Sequence, residues 1–470
     1  MLYVELDRTL KRSYTRQIYT ALREKILCGE LEAGERLPSS RDLSRELCVA
    51  RNTVLAAYDM LVSEGAVSSR EGSGFYVGAG AVRPAQRMPV GMRQTASLAD
   101  LPLTDEIINF DSGLPALELY PREKWNRAAS HAFLDAPPSA LGYDDPQGRP
   151  EFRRVLAGYL KKTRGVSCKP EQIIVTAGTK QGLSLAAKCL LNAESEVWVE
   201  NPSNANVVQI FSYHTHRIRP FEVDSCGIRP DAFPANGKPD LIFTTPSHQF
   251  PMGGILPIQR RIALVEYARR SGAYLLEDDY DSEFSYAAPP VNSLFELDSE
   301  TVIYAGTFSK VLFPSIRLGY LVVPEHLISR MRELKRLADH HSNSVYQLAL
   351  MRFIESGELE RHIRRMKKEY QKRRACLTEL LTECFGDQVR LHGANAGLHL
   401  VAEFDHITFT EERWKQLLQA KVYIVPVERH SLRKGLHTNQ IILGYGGVEP
   451  RDMSIGLERL KNEIQSFSEA

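Results

Sequence analysis

Hydrophobic positions change period as the chain proceeds. In the first 78 residues they recur at helical spacing: Ile18, Leu22, Ile26 and Leu27 form one stripe, and Gly29 follows as a stop. Pro38 and Ser39 before Arg41 mark a helix start, with Leu43 and Leu47 on the buried face. Val49 and Ala50 make a tight turn, and a second helix is predicted from about Arg51 to Glu64, with Val54, Ala57, Tyr58 and Leu61 inward. The ribbon SSREGSGFYVGAG closes this module. From about residue 108 the pattern switches to short apolar, β-branched runs: QIIVTAG, SEVWVE, DLIFTTP, AYLLED, TVIYAGTFS and RLGYLVVP. Amphipathic helices alternate with them, which predicts a mostly parallel sheet covered on both faces. Beyond about residue 340, charged helices (ELERHIRRMKKEYQKRRACLTELL) mix with the strands GLHLVAEF and QIILGYGG, a smaller α+β lobe. Residues 79–107 keep no apolar period and carry three prolines, the composition of a linker. The predicted division is therefore 1–78, a linker at 79–107, and 108–470.

A chain of 470 residues exceeds one ordinary core, in agreement with that division. Its 43% hydrophobic and 25% charged residues are the balance of a soluble globular protein. The start, MLYVELDRTLKRSY, has acidic residues and no apolar signal core, and no apolar run approaches the roughly 18 residues of a membrane span. The expectation is a cytoplasmic protein without membrane contact. Seven scattered cysteines form no C-x-x-C pair, which reads as reduced thiols rather than a disulfide frame or a metal site. Net charge is +1, and residues 1–78 hold 11 basic and 11 acidic side chains, so bulk charge does not draw nucleic acid. A DNA site there must come from basic residues gathered on one face of a dimerising protein.

The candidate chemistry follows position. Arg51, Asn52 and Thr53 stand at the N-terminal end of the second helix, where a recognition helix meets base edges, and Gly72 and Gly74 punctuate a wing. In the large region Lys310 lies just beyond the strand TVIYAGTFS, and a desolvated lysine there suits Schiff-base chemistry. TAGTKQGLSL turns a strand into a helix through Gly178, Thr179 and Lys180, presenting free N–H groups to a phosphate. Arg317, seven residues past Lys310, supplies a phosphate-binding guanidinium. LLEDDYDSEF ends another strand with Asp278, placed to pair with a pyridinium nitrogen. All these positions fall at carboxyl ends of strands, where open α/β sheets bind ligands.

Two stretches carry a family resemblance. LPSSRDLSREL and VARNTVLAAYDMLVSEG, followed by REGSGFYV, resemble a GntR-type winged helix over nearly all of residues 12–77. That resemblance implies that Arg41 contacts phosphate or base, that Arg51 reads a base edge, and that Ser39, Asn52 and Thr53 position the duplex. LGYDDPQGRPEFRRVLAGYL, KPEQIIVTAGTKQGL, TTPSHQFPMGG, EDDYDSEF and GTFSKVLFPSIRLGYL together resemble a fold type I pyridoxal-phosphate enzyme. The whole chain is similar to the MocR/GabR-type bacterial regulators, a winged helix fused to an aminotransferase-like domain. By resemblance, Lys310 binds pyridoxal 5'-phosphate, Asp278 meets its ring nitrogen and Tyr280 its phenolic oxygen. Thr307, Ser309 and Arg317 take the phosphate, with donors from Gly178, Thr179 and Lys180, and Tyr143 reaches the phosphate of the other subunit in a homodimer. His248 is open between a ring contact and a structural hydrogen bond. One departure stands out: where the family shows ENPGY, this chain has Asn204 in place of the tyrosine that lies on the ring.

The function so implied is a transcription regulator binding double-stranded DNA and responding to an amine, an amino acid or pyridoxal phosphate itself. The competing reading is a working aminotransferase with a DNA-binding appendage. Arg429, in VPVERHSL, is the expected carboxylate anchor of an effector, against the alternative of a solvated cluster with Glu428, His430 and Arg433.

Overall fold

The computed structural model describes residues 6, 13–28, 30–70, 74–78, 106–286 and 291–469. Gly29, Gly72 and residues 79–105 of the expected linker lie outside them. Two compact units result, residues 1–102 and 103–470.

In the first unit three helices, Tyr14–Cys28, Ser40–Glu46 and Arg51–Ser63, precede a hairpin of Val67–Arg70 with Gly74–Val77. The hairpin is antiparallel, with Val67 opposite Val77 and Arg70 opposite Gly74. Its core is the expected stripe: Ile18, Leu22, Ile26, Leu43, Val54, Ala57, Tyr58 and Leu61 are fully buried. Leu27 and Leu47 are only half-buried, at the edge of that stripe, and Glu64 caps the third helix instead of extending it. Tyr58 joins three elements, because its ring packs edge-on at 4.7 Å to Phe75 while its hydroxyl donates to Pro38 O at 2.9 Å.

The second unit is built on an eight-stranded sheet. Its spatial order is Ile173–Thr176, Gly319–Val322, Val302–Thr307, Tyr274–Asp279, Leu241–Thr244, Glu196–Asn201, Arg217–Asp224 and Gly227–Ile228. The five strands from Val302–Thr307 to Arg217–Asp224 pair parallel. Gly319–Val322 runs antiparallel to both neighbours, and Gly227–Ile228 is a short antiparallel edge. The six apolar runs in the sequence all become strands of this sheet. Arg217–Asp224 escaped the sequence reading because it is not an apolar run: exposed and half-buried residues alternate over its first half and Phe221 is its one buried residue. A four-stranded antiparallel sheet (Val389–His392, His399–Phe404, Gln440–Gly444, Val425–Pro426) forms the smaller lobe with the 28-residue helix Glu358–Phe385. Ile108–Asn109 pairs with Val422–Tyr423, so the start of the unit is tied to its C-terminal lobe.

Among the described residues no helix is long and apolar enough to cross a membrane. Cys48, Cys168, Cys189, Cys226, Cys376 and Cys384 are free thiols.

Because the two units have separate cores, a cavity in one is expected to leave the other intact. Leu61→Ala should cost the N-terminal unit about 2–5 kcal/mol. Hydrogen exchange on the full chain should speed up in the three N-terminal helices while amides of the large sheet keep their protection.

Candidate functional site

In the small unit, the helix Arg51–Ser63 begins at Ala50, whose side chain makes no cap bond, so its positive end is left open. Arg51 and Asn52 are exposed there and Thr53 is half-buried. Arg51 Nε donates to Ser40 Oγ at 3.2 Å, which ties this helix to the preceding one. Ser39 spends its hydroxyl on the cap of that preceding helix: it accepts from Asp42 N at 3.2 Å and donates to Asp42 Oδ2 at 2.5 Å. Arg41 projects from the first turn and is exposed, as is Arg45. Two further arginines, which the sequence reading did not single out, join the hairpin. Arg36 bridges to Tyr76, with its guanidinium beside Gly74, and Arg70 lies 4.5 Å over the Tyr76 ring. Only hairpin pairing reveals them, since Arg36 precedes the hairpin by 31 residues.

In the large unit, Asp278 is the last residue but one of the strand Tyr274–Asp279, and Lys310 follows the adjacent strand Val302–Thr307. Lys310 Nζ donates to Gly113 O at 2.6 Å. Burial pushes the lysine below its ordinary pKa; Asp111, Asp281 and Asp278 oppose that shift, and Lys180 adds to it. Asp278 is buried, and its Oδ1 has no hydrogen-bond partner. Burial, reinforced by Asp279 and Asp281, raises its pKa from 3.8 to about 7, against the pull of Lys310. A buried carboxyl with an idle oxygen is costly unless a donor or cation meets it.

The phosphate-type residues converge across the chain. Gly178 opens the helix Thr179–Leu190 with φ +100°, and a Cβ there would stand 3.2 Å from the Arg317 guanidinium. Gly178 thus brings backbone N–H groups and Arg317 together at the start of one helix. Thr307 and Ser309 share a hydrogen bond of 3.1 Å in the turn before Lys310. Thr179 is half-buried and Lys180 exposed in the first turn of the helix.

Tyr280 donates to His248 O at 3.0 Å and lies 3.1 Å from His248 Nδ1; Asp281 stands 3.0 Å from that same nitrogen. His248 therefore makes structural hydrogen bonds, while its Nε2 stays buried without a partner. Gly113, Asp111, Asp281 and His399 were not anticipated: they reach the site from far along the chain, and nothing in their local pattern marks them.

Three expected residues stand apart from this cluster. Tyr143 is 87% exposed, and its ring lies 5.0 Å from that of His340. Asn204 caps the helix Ala205–Ser212, accepting from Asn206 N at 3.1 Å. Arg429 bonds both oxygens of Glu411 at 2.9 and 3.0 Å and stacks 3.9 Å over Trp414. It lines a surface cavity of about 290 Å³ with Thr408, Glu411, Glu428, Lys434 and Thr438, none of them a member of the Lys310 cluster. A carboxylate effector at Arg429 would have to displace Glu411.

A sheet of this topology with a lysine and a partnerless aspartate at its strand ends, joined to a winged helix, defines an aminotransferase-type domain carried by a DNA-binding chain. Residues 105–440 match the family Aminotransferase class I and II, and residues 14–77 match Bacterial regulatory proteins, gntR family. The chain is 33% identical to the probable rhizopine catabolism regulatory protein MocR of Rhizobium meliloti, over 97% of this chain and 95% of that one. It is 34% identical to the HTH-type pyridoxine biosynthesis transcriptional regulator PdxR of Corynebacterium glutamicum, over 82% of each. Among solved structures, the multiple substrate aminotransferase of Thermococcus profundus superposes with a TM-score of 0.74 at 25% identity, covering 82% of this chain and 97% of that one. LysN, the α-aminoadipate aminotransferase of Thermus thermophilus solved with N-(5'-phosphopyridoxyl)-L-leucine, gives 0.71 at 26%, covering 77% and 93%. The chain belongs to the MocR-type HTH transcriptional regulators, whose large domain has the class I and II aminotransferase fold.

The raised Asp278 carboxyl has a consequence for stability. Between pH 3.8 and about 7 the unfolded chain has lost this proton and the folded chain still holds it, so the group lowers stability as pH rises through that window. Asp278→Asn removes the titration. In cofactor-free protein at pH 8 it should gain about 1–3 kcal/mol, the scale of one unpaired buried polar group. Urea unfolding at pH 4 and pH 8 checks this, since the gain should be confined to the higher pH.

Proposed function

We propose that this chain is a pyridoxal-phosphate-dependent regulator in which a homodimer of the large domains sets how the winged helices hold double-stranded operator DNA. The observation that carries the reading is the idle buried oxygen of Asp278 beside Lys310. That carboxylate, with the Gly178–Arg317 cradle, fits a ligand that combines a cationic ring nitrogen, an amine-reactive group and a phosphate. Pyridoxal 5'-phosphate, when bound, supplies an aldehyde that condenses with amines and a ring that withdraws electrons. Lys310 would hold that aldehyde, its lowered pKa keeping a share of the amine unprotonated. Asp278 would accept from the ring nitrogen and hold its proton there. Gly178, Thr179, Lys180, Thr307, Ser309 and Arg317 would bind the phosphate with backbone donors, hydroxyls and positive charge.

Exposed apolar side chains support the homodimer. Phe133, Leu134, Leu141, Leu337 and Tyr346 are 40–79% exposed, and Tyr143 is free to reach the phosphate of the partner's site. On the DNA, Arg51 and Asn52 would read base edges while Arg41 contacts the backbone. The signal is an amine, an amino acid or pyridoxal phosphate itself. Any of them acts only by binding two arrangements of the dimer unequally. The retained lysine also favours a second reading, a working aminotransferase; sustained conversion of an amino donor to its keto acid would select it.

A gel shift with the chain's upstream DNA, with and without pyridoxal phosphate and candidate amines, tests the assignment. Arg51→Ala should weaken specific binding by about 1–3 kcal/mol, the worth of one bidentate base contact, and leave the cofactor's visible absorbance unchanged. Lys310→Ala should abolish that absorbance. A specific shift that ignores both the substitution at Arg51 and the cofactor would defeat the proposal.

A further inference from the structure

Beneath Tyr280 lies a buried pair that the family assignment leaves without a role. His248 and Asp281 are 1% and 2% exposed, and both carboxylate oxygens of Asp281 approach His248 Nδ1, at 3.0 and 3.2 Å. Two lone pairs do not face each other at that distance, so Nδ1 carries the hydrogen and donates it to Asp281. Tyr280 also reaches Nδ1, at 3.1 Å, but finds no acceptor there; its hydroxyl donates to the His248 carbonyl at 3.0 Å. The backbone of Gly397 seals the pair: a Cβ there would fall 2.1 Å from His248 Cε1 and 2.4 Å from Asp281 Oδ2. The carboxyl groups of Asp278, Asp279, Asp281 and Glu200 act on the phenol, and Lys310 and His399 face the same cluster. The ligand atoms of His248, Asp281 and His399 also fall within 4.8 Å of one another, the reach of one metal ion. Asp281 and His248 Nδ1 are already spent on each other, however, so the hydrogen-bonded arrangement is the one these distances favour.

The geometry points to Asp281 and His248 as positioning residues: by fixing the histidine tautomer, Asp281 denies Tyr280 a strong internal acceptor and keeps its hydroxyl hydrogen available to the cofactor's phenolic oxygen. The inference rests on the cofactor reading above. The physical reason is a ranking of acceptors. A neutral backbone carbonyl yields the phenol hydrogen to an anionic oxygen, since charge-assisted bonds are about twice as strong as neutral ones. An imidazole lone pair at Nδ1 would compete. A donor on the phenolic oxygen also draws electron density from the chromophore and lowers its affinity for a proton.

The test uses full-length protein loaded with pyridoxal phosphate. Asp281→Leu, which cannot accept from Nδ1, should raise the pH midpoint of the visible band by about 1 unit, a tenfold change in proton affinity. Tyr280→Phe should give a similar rise, and Asp281→Leu added to it should give no more. Asp281→Asn, whose amide oxygen can still accept from Nδ1, should restore a midpoint near the parent's. Independently of any cofactor, ¹⁵N shifts of labelled histidine should show His248 protonated at Nδ1 in the parent and at Nε2 in Asp281→Leu. A midpoint unmoved by Asp281→Leu, an equal shift in the Tyr280→Phe background, or a stoichiometric metal ion co-purifying with the cluster would overturn the inference. Absence of any visible band in the loaded parent would instead overturn the cofactor reading, and the histidine shifts would still judge the pair.

Discussion

A run of carboxyl groups buried at the end of one strand is the constraint around which the large domain is arranged. The segment Glu277–Glu283 carries five carboxyl groups, all buried except the half-buried Glu283, and an uncompensated buried charge costs several kcal/mol. Four of them are met within the chain. Glu277 accepts from Leu294 N and Phe295 N, Asp279 takes Arg164 and the Tyr304 hydroxyl, Glu283 takes Arg164, and Asp281 takes His248. Arg164 serves two of them from the last turn of the helix Pro150–Arg164 and is itself buried. Asp278 keeps Oδ1 without a donor, near the half-buried Lys310, and Glu277 Oε1 in the same strand is likewise without one.

The smaller lobe closes on these strand ends at several points. His399 Nε2 bonds Pro251 O at 3.0 Å, and Leu432 N donates to Asn201 Oδ1 at 2.7 Å. Asn201 is doubly engaged, because its amide nitrogen holds both oxygens of Glu222 on the neighbouring strand.

The winged helix faces the opposite electrostatic problem. With basic and acidic side chains balanced over residues 1–78, it has no bulk attraction to a polyanion. Two of its acids are paired internally: Glu64 binds Arg23 and Tyr19, and Glu30 binds Lys25. Arg41, Arg45, Arg51 and Asn52 remain exposed around an uncapped helix start. Such a surface gains little from non-specific contact.

The sequence by itself determined the elements and the nature of the chemistry. Apolar period marked Val54, Ala57, Tyr58 and Leu61 as one buried face, and six apolar runs as strands, because burial of a face leaves its period in the residues. The strand-end positions of Asp278, Lys310 and Gly178 were legible for the same reason: Asp278 lies at the end of a strand, Lys310 just after one, and Gly178 opens a helix. What each polar group touches was decided only by the tertiary structure. Gly113 is 197 residues from Lys310, and His248 and Asp281 are 33 apart, so their pairing depends on strand order, to which local pattern is blind. Arg429 shows the same limit from the other side. Its sequence neighbours suggested either a ligand anchor or a solvated cluster, and the fold supplied Glu411 and Trp414 from a separate helix, filling the guanidinium with partners that no local pattern could name.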